Sequence, residues 1–225
     1  GAAEKVIEKG RRIAAHNLEA AEVDIEFSAG RFAVAGTDRG LDMKEVAALA
    51  FQPATLPPGM ESGLNGFDTF KSPGPTFPNA CHVSEVEIDP ETGVVTVLRY
   101  LAVDDVGTVM NPLLLKGQLH GGIVQGIAQI LGERIVMDES GQVLTGSFMD
   151  YHMPRADEYP SFEIESHIVP SPRNPLGIKG AGEAGTVGAV ACLASAIHDA
   201  LAPLGISSID FPATPERIWQ AVKAA

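Results

Sequence analysis

Gly177-Ile178-Lys179-Gly180-Ala181-Gly182-Glu183-Ala184-Gly185-Thr186-Val187-Gly188 is the stretch on which the choice of fold turns. Gly180, Gly182 and Gly185 satisfy the spacing G-x-G-x-x-G, which on a strand-turn-helix unit would cradle a pyrophosphate and imply a doubly wound parallel sheet. The surroundings argue against that reading. Pro170, Pro172 and Pro175 stand where the preceding strand should run, and Gly205-Ile206-Ser207-Ser208 occupies the place of the ribose-binding acid. What remains is a glycine-rich bend ahead of an apolar run, Val187 to Leu201, that reads as a helix. Glycines let backbone amides approach a ligand, and the first N–H groups of a helix have no intrahelical acceptors. Glu183 would either face whatever binds at the bend or simply satisfy those first-turn amides as a dipole-complementing acid.

Working outward, residues 3 to about 20 place Val6, Ile13, Ala14 and Leu18 at helical spacing among charged residues. Val23–Phe27 and Arg31–Val34 alternate around Ser28-Ala29-Gly30 as a hairpin, and a short helix is expected from Asp42 to about Phe51. Residues 52–78 hold six prolines and form a long connection. A second β pair, Ala80 to Asp89 and Gly93 to Asp104, surrounds the turn Asp89-Pro90-Glu91-Thr92-Gly93 and is expected in regular register. Asn111-Pro112 reads as a helix cap and first turn, opening a helix to about Glu133. A strand at Glu163–Ile168, a short strand near Ile209 and a helix from Thr214-Pro215 complete the pattern. Hairpins interspersed with helices predict an α+β fold with mixed sheets. The expected organisation is a helix-hairpin-helix unit at 1–51, the connection at 52–78 and a larger unit at 79–225.

Composition narrows the function. A formal charge of −13 argues against a nucleic-acid or anionic-membrane surface. Cys81 and Cys192 form no Cys-x-x-Cys pair, and the six histidines show no paired spacing, so the chain offers no metal-ligand set of its own. Two lone cysteines fit a reducing, cytoplasmic setting. No run is expected to reach the length of a membrane span. The chain begins at Gly1 in helix-like sequence and reads as one piece of a larger protein. Gln118 and Gln125 lie two helical turns apart, on one face with Gly121 and Gly122, where a polar ligand could lie.

Five segments in order carry a resemblance: Cys81–Pro90, Asp104–Pro112, Gly117–Gly126, Gly146–Tyr151 and Lys179–Glu183. They resemble the carboxy-terminal part of the molybdenum-binding large subunit of the xanthine dehydrogenase, aldehyde oxidase and aerobic carbon monoxide dehydrogenase family. Gly146–Tyr151 and Gly180–Gly185 look closest to the carbon monoxide dehydrogenase branch. The resemblance implies a molybdopterin-binding fold and a molybdenum-dependent oxidoreductase acting on an aldehyde, an N-heterocycle or carbon monoxide. It implies Glu183 as the active-site base and Gln118 as a molybdopterin contact, with Lys179, Gly180, Ala181 and Gly182 lining the pocket. The cofactor would be molybdopterin, or its cytosine dinucleotide, holding molybdenum through the pterin, with no protein ligand to the metal. Iron–sulfur and FAD groups would reside on partner subunits of a hetero-oligomer, and catalysis would need the remainder of the large subunit. The competing expectation is a non-catalytic assembly domain that keeps the fold and binds no cofactor.

Overall fold

The computed structural model describes all residues, 1–225, and the architecture is α+β. The chain divides into two compact units, Gly1–Lys71 and Ser72–Ala225.

In the first unit, helix α1 (Ala2–Leu18) and helix α2 (Met43–Ala50) cover one face of an antiparallel sheet, β1 (Ile25–Ser28), β2 (Arg31–Val34) and β3 (Gly40–Asp42). Ala29 and Gly30 both take positive φ, 49° and 80°, the conformation a two-residue hairpin turn requires. Val23 falls in a short 3-10 turn ahead of β1, and β3 is a strand that the pattern did not announce. Asp42 caps α2 with a reciprocal bond to Glu45. Phe32, Ile13 and Val46 are fully buried at the centre, and Gly10 lets α1 lie on the Phe32 ring, which a Cβ there would meet at 2.5 Å.

The second unit carries the candidate site. Strand β4 (Asn79–Ile88) pairs antiparallel with β5 (Val95–Asp105), and β6 (Glu163–Ser166) adds parallel to β5, giving a mixed sheet of order β4-β5-β6. The register is not regular: Glu85 faces Arg99 whereas Val86 faces Val97, so Leu98 is an extra residue and β5 bulges there. A bulge of this kind bends the strand and increases its twist. No strand forms near Ile209. Residues 206–210 run without ladder partners toward helix α5 (Pro215–Ala224), with Ile206 and Ile209 packed against the core and the Ala213 amide bonded to the Ile130 carbonyl at the end of helix α3.

Helices α3 (Pro112–Leu131) and α4 (Ala184–Leu201) pack together on the sheet. Asn111 Oδ1 accepts from the Leu114 amide and so caps α3. Of the four α3 glycines, two bring the helices together: a Cβ at Gly126 would lie 2.8 Å from the Thr186 carbonyl, and one at Gly122 would lie 3.0 Å from the Thr186 amide. Gly117 and Gly121 instead face open space. Helix α4 is apolar and long enough by composition to cross a bilayer, contrary to the expectation that no run reaches that length. In this fold its Ala189, Leu193, Ile197 and Leu201 are buried with Ile123, Ile127 and Tyr100 in one core.

Candidate active site

Strand β5 ends in two consecutive acids whose side chains alternate to opposite faces of the sheet. Asp105 receives the amides of Gly107 at 2.9 Å and Val169 at 3.1 Å on Oδ1, and the Lys179 ammonium at 2.5 Å on Oδ2. Both side chains of this ion pair are nearly buried, Lys179 at 12% and Asp105 at 10% exposure. The Lys179 hydrogen bond, with help from the two amides, holds the Asp105 carboxyl down at about 2. Lys179 is therefore an internal anchor, and its backbone, not its ammonium, leads into the bend.

Backbone bonds complete the attachment. The Lys179 amide donates to the Val106 carbonyl at 2.9 Å, Thr108 donates to Gly177 at 3.0 Å, and Gly180 donates to Thr76 at 3.3 Å. Gly107 and Gly177, at φ 66° and 67°, allow this crossing; a Cβ on Gly107 would meet the Gly177 carbonyl at 2.2 Å. Asn174 clasps Ile178 on both its carbonyl and its amide. From the opposite side Gln118 Nε2 donates to the Gly182 carbonyl at 2.6 Å, and Thr186 donates to Gln125 Oε1 at 3.4 Å. The two glutamines thus reach the bend and the first turn of α4, the face on which the sequence placed them.

The bend is consequently fixed on three sides while its own donors stay free. The amides of Ala181, Gly182 and Glu183 have no acceptor within the protein, and Gly182 has open space where a side chain would stand. Glu183 is the N-cap residue of α4, yet its carboxylate takes no bond from the first-turn amides. The capping alternative for Glu183 therefore does not describe the structure. Its side chain is exposed and lines a cavity of about 560 Å3 whose far wall is Thr76 to Ala80.

A second cavity, about 370 Å3, lies against the other side of the same backbone. Gln118 and Lys179 line it, together with Thr108 and Asn111, while Ala181 and Gly182 line both. All six expected site residues therefore meet at one bend, Glu183 lining the first cavity and Gln118 the second. Sequence reasoning missed the Thr76–Ala80 wall, read as the end of the connection and the start of a strand, and Asp105, whose pairing with Lys179 spans 74 positions.

The residues suit a ligand that brings its own metal. Free amides, glycine-lined space and a carboxylate accommodate a bulky polar group, while no cluster of three His, Cys, Asp or Glu side chains offers to ligate an ion directly.

Residues 1–160 match the family model described as molybdopterin cofactor-binding domain. The carbon monoxide dehydrogenase large chain of Hydrogenophaga pseudoflava is 38% identical over 223 residues, 99% of this chain and 28% of that protein. The nicotine 6-hydroxylase large subunit of Paenarthrobacter nicotinovorans is 38% identical over 94% of this chain and 26% of its own length. A crystal structure of Cu,Mo-CO dehydrogenase in the carbon monoxide reduced state superimposes with a TM-score of 0.89 at 38% identity, over 99% of this chain and 28% of that one. The chain spans little more than a quarter of the length of these relatives.

Proposed function

The chain belongs to the molybdopterin cofactor-binding domain family, and from that we propose that it is the part of a molybdenum hydroxylase-type large subunit that supplies the active-site base. The observation that carries the reading is the Glu183 carboxylate, fixed by backbone on both sides, exposed to a cavity and bonded to no protein donor. When bound, the molybdopterin group would supply the metal at which water-derived oxygen is transferred and two electrons are accepted. Glu183 would take the proton released as oxygen is transferred, holding it on a carboxylate oxygen and passing it to solvent through the open cavity. Gly180, Ala181 and Gly182 would receive polar groups of the cofactor on their backbone, with Gln118 steadying the Gly182 carbonyl and keeping its own Oε1 for a cofactor donor. Lys179 and Asp105 would hold that backbone at a constant height.

Substrates of the relatives' types, carbon monoxide or an N-heterocycle, belong to the same proposal, as do the cytosine dinucleotide form of the cofactor and association with iron–sulfur and flavin subunits. The free thiols of Cys81 and Cys192 support a reducing, cytoplasmic setting. The other segments of the large subunit would close the site, leaving this piece inactive alone. Metal analysis of the assembled protein tests the reading: one molybdenum per copy of this chain is the expected result. A carefully isolated assembly with none would favour a non-catalytic assembly domain instead.

A further inference from the structure

Below the first turns of α4 lies a polar group that the site above does not use. His82 on β4 and Tyr100, Ala102 and Asp104 on β5 share one face of the sheet, since Ala80 pairs with Asp104, His82 with Ala102 and Ser84 with Tyr100. His82 Nδ1 lies 2.7 Å from the Tyr100 hydroxyl and its Nε2 lies 3.5 Å from Asp104 Oδ1. The His82 and Asp104 side chains are 2% and 0% exposed. Neither oxygen of Asp104 has a hydrogen-bond partner, and neither does His82 Nε2. Burying an unpartnered polar group is costly, and the polar side chain that faces Asp104 at this depth is the His82 ring, 3.5 Å away.

The same ring carries α4. A Cβ at Gly188 would stand 2.4–2.7 Å from three His82 ring atoms, so the helix backbone rests directly on the imidazole. One helical turn further, Cys192 Sγ donates to Ser84 Oγ at 3.2 Å. Positions 82 and 84 of the strand thus meet positions 188 and 192 of the helix, two contacts that fix α4 along β4. Glu183 sits at the start of that helix.

We propose that His82 is a positioning residue for Glu183: paired with Asp104 and Tyr100, it sets the seat of the first turns of α4 and hence the placement of the carboxylate over its cavity. The inference rests on the reading of Glu183 as the base. In the assembled enzyme, His82→Leu removes the ring on which Gly188 rests and turns an apolar side chain toward Asp104, and kcat should fall between about tenfold and a hundredfold, as for a misplaced catalytic group. KM should change by less than about twofold, and molybdenum content should be unchanged. His82→Gln, which returns a polar side chain facing Asp104, should recover most of the loss, whereas Gly188→Ala, which pushes on the ring, should reproduce it.

Hydrogen exchange gives an independent readout. The hydrogen-bonded amides of Lys179, Gly180 and Val187 should exchange about tenfold faster in His82→Leu and return toward the native rate in His82→Gln. Native kcat and native exchange in His82→Leu would overturn the proposal. So would equal impairment of the Leu and Gln variants with loss of molybdenum, which is what a merely structural histidine gives. If Glu183→Gln turned over normally, the base reading would fail by itself, and the exchange rates would still decide whether His82 seats the bend.

Discussion

In the assembled enzyme, Glu183→Gln is expected to retain the full complement of molybdenum and to lose a factor of about 10²–10⁴ in kcat, the range that a positioned general base contributes. The reasoning is local. The Glu183 carboxylate accepts no hydrogen bond from the first turn of α4 and is exposed, so replacing one oxygen by an amide nitrogen removes no support from the fold. The bend is held by Gln118, Asn174 and the backbone of Val106 and Thr76, none of which touches the altered group. What the amide cannot do is take a proton. The loss should therefore appear in kcat and kcat/KM together with KM nearly constant, the pattern of an interaction made only in the transition state. Turnover within about threefold of the native enzyme would remove Glu183 from the role.

The largest effect on stability is expected at Asp105. Asp105→Ala removes the acceptor for two backbone amides and strands the nearly buried Lys179 ammonium. Breaking a buried pair by deleting one partner costs about 3–5 kcal/mol, and urea unfolding should show a loss of that order. The acid dependence follows from the same contacts. The folded-state carboxyl lies at about 2, below the ordinary value of 3.8, so the folded state binds this proton less readily than the unfolded chain. The stabilisation is fully present above about pH 4 and is lost as the pH falls through 4 toward 2. Asp105→Asn should flatten the pH dependence of the unfolding midpoint across that window. An Asp105→Ala midpoint equal to the native one would show that the pair carries no weight.

These two residues also show what a sequence discloses. The bend that ends at Glu183 and the helix after it were legible because their signals are local, glycines on both sides and the start of an apolar run within twelve residues, whereas the role proposed for that glutamate came from the family resemblance alone. The helices capped by Asp42, Asn111 and Thr214 were legible for the same reason, since a cap and its first turn lie within four positions. Asp105 was not, because its three partners lie at Gly107, Val169 and Lys179; the pairing of β6 beside β5 brings Val169 within reach, and the bridging of residues 177–179 to residues 106–108 brings Lys179. Nothing in alternation patterns distinguishes a strand-ending acid that anchors a distant lysine from one that faces water. The bulge at Leu98 escaped for a related reason: an extra residue leaves each half of the strand alternating correctly and reveals itself only against the partner strand. The strand expected near Ile209 failed because apolar alternation over so few residues does not supply a ladder partner.

The fold class came through because hairpins and helices alternate along the chain, and the glycine-rich stretch was read as a bend with no sign of the cavity beside it. The wall opposite Glu183, Thr76 to Ala80, lies in a proline-rich stretch with no chemistry of its own to mark it. Its role depends on the Gly180 amide reaching the Thr76 carbonyl, a contact across more than a hundred residues.

The central claim is that Glu183 faces the molybdenum of a bound cofactor. Anomalous scattering measured at the molybdenum K edge from crystals of the assembled enzyme tests it most directly. One molybdenum peak per copy is expected in the cavity that Glu183 lines, against the Gly180–Gly182 backbone. A fully loaded enzyme whose molybdenum peak lay elsewhere, away from that carboxylate, would contradict it.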